Sequence, residues 1–165
     1  MNTHRGPRRP HRIRLSTLLA LLTLTACTSD APGAPTTPGS APPGPTRITV
    51  TIGGHSYQAT LADNPTTREL IDQLPLTLAF TDFNRVEKIA TLPRPLTTQG
   101  APTGTDPEIN DIGYYRPGNN LVLYYGDVGY FNGIVRLGSL PEGMDAIARQ
   151  PDGFTATIAS AGTAR

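Results

Sequence analysis

The chain has 165 residues with 17 Gly, 17 Pro, one Cys, three His and no Trp. That length fits one domain with appendages, and a Gly-plus-Pro share of about a fifth favours turn-rich β structure over long helices. Arg5, Arg8, Arg9, Arg12 and Arg14 sit among 26 opening residues that hold no acid; with those five set apart, nine basic and 13 acidic side chains remain, a net −4, which excludes the basic face of a nucleic-acid binder.

Behind these arginines, residues 15–24 form an apolar run. It is too short for a spanning helix, which needs about 20 apolar residues, and has the layout of a secretory signal. The run ends in Leu24-Thr25-Ala26-Cys27, which resembles the lipobox of bacterial lipoproteins. The resemblance implies that residues 1–26 are removed and that Cys27 is acylated. The mature protein is then expected outside the cytoplasm, with membrane lipid as its partner through Cys27. Acylation would consume the only thiol and leave no disulfide, thiol nucleophile or cysteine metal site. Residues 28–46, TSDAPGAPTTPGSAPPGPT, contain six Pro and three Gly and no large apolar side chain. Such a stretch buries too little surface to offset its ordering entropy, so residues 27–46 read as a lipidated cysteine and an extended tether. The folded domain is expected over 47–160, and 161–165 as a frayed tail.

Within the domain, Ile48, Val50 and Ile52 alternate with threonines, the pattern of a half-buried strand. Gly53-Gly54 signals a two-residue hairpin into Tyr57, Ala59 and Leu61. Asn64-Pro65-Thr66-Thr67-Arg68-Glu69 predicts a helix start with a Thr66…Glu69 capping box. A strand follows from Leu76 to Phe80, with room to run to Phe83. Residues 93–111 have no periodicity and read as a long loop, a kind of segment that is usually functional or mobile. Strands are predicted over 112–115, 121–125 and 134–140, a short helix within 141–150, and a closing strand over 154–159. Seven or eight strands with two short helices suit a closed β-barrel, with an open α+β sheet as the competing architecture. The neighbouring pairs Tyr114-Tyr115 and Tyr124-Tyr125 should each send one ring inward and one outward.

Glu87-Lys88-Ile89, Leu92-Pro93, Asp111-Ile112-Gly113-Tyr114-Tyr115, the segment 121–125 and Leu137-Gly138 together resemble the bacterial cyclophilin-like domain family over nearly the whole domain. The resemblance implies a closed cyclophilin-like barrel of about eight strands with two short helices. Where that family has Trp-Gly-Asn, this chain has Pro117-Gly118-Asn119-Asn120. Shorter stretches are similar to the true cyclophilins, the peptidyl-prolyl isomerases: Phe83-Asn84-Arg85-Val86, Gln99-Gly100-Ala101-Pro102-Thr103-Gly104-Thr105, Tyr130-Phe131-Asn132-Gly133 and Glu142-Gly143-Met144-Asp145.

Reactive groups are scarce in the domain. His55 is its only histidine and falls in a hairpin turn, which leaves a triad or a zinc site without members. No cofactor loop follows a strand into a helix. Asp106, Glu108 and Asp111 cluster without the spacing of a calcium loop. Lys88 reads as a surface charge beside Glu87. Proline isomerisation needs few such groups, because it requires only rotation past the barrier of amide resonance. On the isomerase resemblance, Arg85 would polarise the amide and Gln99 would bind the peptide backbone, with Phe83, Tyr125, Tyr130 and Phe131 as pocket walls. The competing role for Arg85 is to partner Glu87 along one strand. The expected function is therefore a tethered binding domain for a peptide or small ligand, and peptidyl-prolyl isomerisation of exported proteins is the alternative.

Overall fold

The computed structural model describes residues 44–162. The signal segment, Cys27 and most of the tether lie outside the described residues.

Strands β1 (Thr46–Ile52) and β2 (His55–Leu61) form the expected hairpin, and Gly53 and Gly54 turn it at φ +55° and +84°. Two successive positive φ angles define the turn whose twist matches that of the flanking strands, and glycine adopts them without a Cβ penalty. Helix α1 (Pro65–Ile71) starts one step before the predicted box. Asn64 caps it by accepting from the Thr67 backbone N–H at 2.9 Å, and the Thr67 hydroxyl accepts from the Asn64 N–H. Asn is among the best N-cap residues, and Pro65 at the first helical position needs no N–H partner, so this arrangement displaces Thr66…Glu69. Glu69 instead accepts from the backbone N–H of Thr97.

The chain continues through β3 (Leu76–Phe83), β4 (Glu87–Thr91), β5 (Gly104–Thr105), β6 (Asp111–Tyr115), β7 (Asn120–Tyr124), β8 (Phe131–Asn132), β9 (Ile134–Ser139), α2 (Met144–Ala148) and β10 (Phe154–Ser160). Eight strands close into a barrel in the order β1-β10-β3-β4-β7-β6-β9-β2, while β5 and β8 pair as a small separate ribbon. Closure leaves the barrel no free sheet edge.

Alternation along the strands fills the interior with Ile48, Val50, Leu61, Phe80, Leu121, Leu123 and their neighbours. The segment after β4 is packed rather than loose. Leu92 and Leu96 are buried in the main core, Asn119 donates to the Leu92 carbonyl at 2.8 Å, and the Tyr114 hydroxyl accepts from the Leu96 N–H at 3.2 Å. Asp111 is likewise enclosed, with both carboxylate oxygens on Arg136 at 2.7 and 2.6 Å, so its charge is spent on an ion pair and not on calcium. Among the described residues no three His, Cys, Asp or Glu side chains are grouped to hold a metal.

Candidate functional site

A second apolar cluster lies on the outside of the barrel. Leu121 and Leu123 of β7 point into the main core, so the alternate residues of the strand face outward, and Val122 and Tyr124 pack there with Ile134 of β9. Ile89, Tyr115 and Val128 extend this cluster. Above it opens a groove of about 490 Å³, within the range of ligand sites. Its floor is sheet. One wall is the β3–β4 turn, with Phe83, Asn84 and Val86, and the other is the loop bearing Asp127 and Val128 together with Phe131 of β8. Phe83 and Phe131 stand at the groove 48% and 55% exposed, so apolar surface is offered to solvent there. Tyr115 meets Phe131 edge to face with ring centroids 6.0 Å apart.

Register places one row of this floor closely. Phe83 of β3 pairs with Glu87 of β4, and Glu87 pairs with Tyr124 of β7. Cross-strand partners share a face, so the Glu87 carboxylate stands between two aromatic side chains. Burial pushes that carboxyl above its ordinary range. Tyr124 is fully enclosed, and its hydroxyl has no hydrogen-bond partner. Burial, followed by the nearby charges of Glu87 and Asp111, drives the phenol far above its usual titration range. The Tyr124 ring has this position because β6 carries Gly113 beneath it: a Cβ there would lie 2.7 Å from the ring.

The sequence-predicted residues separate over this surface. Phe83 and Phe131 line the groove. Tyr125 points instead toward the barrel end, where its hydroxyl donates to Asp82, and burial together with that bond pushes its pKa up to about 12. Tyr130 is 59% exposed and does not line the groove. Arg85 occupies the tip of the β3–β4 turn in the left-handed region, φ +60°, with its backbone N–H donating to Asp82; it lines neither this groove nor the one that holds Gln99. It therefore does not share a strand with Glu87. Gln99 lines a smaller pocket of about 180 Å³ between the start of α1, residues 100–102 and β9. The two hollows have Ile134 in common.

Lys88 also differs from the sequence reading. It is 2% exposed, not a surface charge, and its ammonium group lies 2.8 Å from the Asp82 carboxylate, donates to the Gln150 carbonyl at 2.8 Å and faces the Tyr125 ring. Asp82 sits below the usual carboxylate range, first through Lys88 and then through the Tyr125 hydroxyl. This network closes one end of the barrel.

Sequence reasoning missed Glu87 and Tyr124 as groove residues. The paired tyrosines were the available signal, since Tyr115 and Tyr124 are the members facing outward.

No curated protein matches the sequence. Among solved structures, the solution structure of the hypothetical protein AF2241 from Archaeoglobus fulgidus is similar, with a TM-score of 0.56 and 19% identity, covering 74% of this chain and 100% of that one. At that identity the likeness speaks for the fold. The family model described as the cyclophilin-like family matches residues 50–159, the span of the barrel and its groove. The chain belongs to the cyclophilin-like family.

Proposed function

We propose that this protein is a binding module whose outer-face groove takes a peptide or small ligand. The observation that carries the reading is the groove itself: an apolar hollow of about 490 Å³ on a rigid sheet, flanked by exposed Phe83 and Phe131. Isolated exposed apolar residues are common, whereas two phenylalanines at the mouth of a concave apolar site mark a recognition surface. The groove lining holds no His, Ser, Cys, Lys or Arg, so it offers no nucleophile with an adjacent base and no cation to set against a twisting amide. Binding without turnover is therefore favoured over isomerisation. The lipobox pattern at Cys27 supports a tethered, extracytoplasmic setting in which the Pro-rich segment holds the domain away from lipid.

Titration of the ¹⁵N-labelled full chain with short Xaa-Pro peptides and small apolar probes tests the site. Shifts are expected at Phe83, Val122 and Phe131, with peptide cis–trans exchange unchanged in the same tubes. No response at these positions overturns the binding site, and accelerated exchange restores the isomerase alternative. Cys27→Ser is expected to move the protein from the membrane fraction to the soluble fraction; unaltered membrane association overturns the tether.

A further inference from the structure

We propose that the groove recognises an organic ammonium group carried on an apolar stem, held by Glu87 between Phe83 and Tyr124; the proposal rests on the groove being a binding site. Glu87 is half-buried on the groove floor, and among the described residues it has neither a salt-bridge nor a side-chain hydrogen-bond partner. The enclosed carboxylates elsewhere are matched: Asp111 by Arg136 and Asp82 by Lys88. No Lys or Arg lines the groove, while Asp127 adds a second acid at its wall. The Glu87 oxygens keep contact with solvent, and a cation arriving from outside would exchange that water for a direct charge partner.

The surroundings fit an ammonium better than a metal ion. Metal ions of the hard type want several oxygen ligands, and among the described residues no such group exists. Aromatic faces attract ammonium groups and also shelter the carbons attached to them. Beside the carboxylate in this row Phe83 is exposed and offers aromatic surface, while Tyr124 closes the floor on the other side. The apolar strip of Ile89, Val122 and Ile134 continues from this row and matches an alkyl stem.

The two sources of this chemistry are a free alkylamine and a lysine side chain, which ends in the same butylammonium. The test compares n-butylammonium, 1-butanol and acetyl-Gly-Lys-Gly-amide on the full chain by NMR titration at pH 7.5 and pH 4. At pH 7.5 n-butylammonium is expected to bind at least tenfold more tightly than 1-butanol, the scale of a hydrogen bond to a charged partner. That preference should weaken at pH 4, below the ordinary value from which burial raises the Glu87 carboxyl, and vanish in Glu87→Gln at pH 7.5. Tighter binding of the peptide than of the amine assigns the site to lysine in a chain, and equal or weaker binding assigns it to a free amine; either supports the proposal. Equal binding of alcohol and ammonium overturns it while leaving the groove as a binding site. Selectivity that survives Glu87→Gln also overturns it. Failure of all three probes to shift any groove resonance overturns both readings.

Discussion

Tyr124 is fully enclosed, yet its hydroxyl goes without a hydrogen bond. Leaving such a group unsatisfied costs about 1–3 kcal/mol, and deleting it recovers part of that cost without opening a large cavity. Tyr124→Phe is therefore expected to raise stability by about 1 kcal/mol, seen as a higher urea midpoint at constant slope. Glu87 acts in the same direction. Its folded-state pKa lies above the unfolded value because of burial, so folding takes up a proton; the stability it withholds at neutral pH returns as pH falls through the folded pKa. Two neighbouring side chains thus each cost the fold something, and such costs concentrate where a protein keeps a site for function. Only part of this was legible in the sequence. Alternation says that one tyrosine of each pair faces outward, but the choice between Tyr124 and Tyr125 depends on the phase of β7. That phase is set by Leu121 and Leu123 entering the core, and by Gly113 leaving room for a ring on the other face.

The β3–β4 hairpin shows how pairing converts ordinary strand residues into a structural device. Asp82 and Lys88 lie six positions apart and become direct partners once the register is set. Asp82 then accepts from Lys88 Nζ, the Tyr125 hydroxyl and the Arg85 backbone N–H. A lone lysine in an alternating segment reads as a solvated charge, because its partner is identified only by the turn between the strands. The same turn takes Arg85 out of the strand and away from Glu87. Removing the carboxylate leaves the Lys88 ammonium buried beside one carbonyl, and breaking a buried pair in this manner costs about 3–5 kcal/mol. Asp82 retains some solvent contact, so Asp82→Asn is expected at the lower end, about 3 kcal/mol in urea unfolding at pH 7. Lys88→Met should cost less, since Asp82 keeps the Tyr125 hydroxyl and some water. The pH dependence has a definite sign. With the Asp82 pKa lowered in the folded state, its contribution is complete above the unfolded value of 3.8 and is lost as pH falls through the folded pKa. The difference between wild type and Asp82→Asn should narrow over that acid window; a constant difference would mean that the carboxylate charge is not what stabilises the hairpin.

The barrel as a whole depends on a narrow seam. Most neighbouring strands pair over four or more registered positions, but β2 meets β9 only at Thr60↔Ser139 and Leu61↔Gly138, supplemented by the Ala62 N–H donating to the Leu137 carbonyl at 2.8 Å. Closure here was foreseeable from the number of strands and from the family resemblance. The seam itself was not, because β2 and β9 are more than 70 positions apart and share no local pattern. Gly138 makes the approach possible: a Cβ at that position would lie 2.1 Å from the Thr60 carbonyl oxygen and 2.8 Å from the Leu61 Cα. These are backbone atoms with nowhere to retreat, so Gly138→Ala must push the strands apart or distort both. The expected loss is about 3 kcal/mol, the upper end for overpacking, measured by thermal or urea unfolding. Faster amide exchange should be concentrated at Leu61 and Ala62 before it spreads around the barrel. The groove floor gives this experiment its control. Glu87 and Tyr124 are held by β3, β4, β7 and β6, whose mutual ladders do not include the seam. In conditions where Gly138→Ala remains folded, ligand affinity at the groove should match wild type. A matching loss of affinity would show that the outer face takes its shape from closure of the barrel and not from those four strands alone.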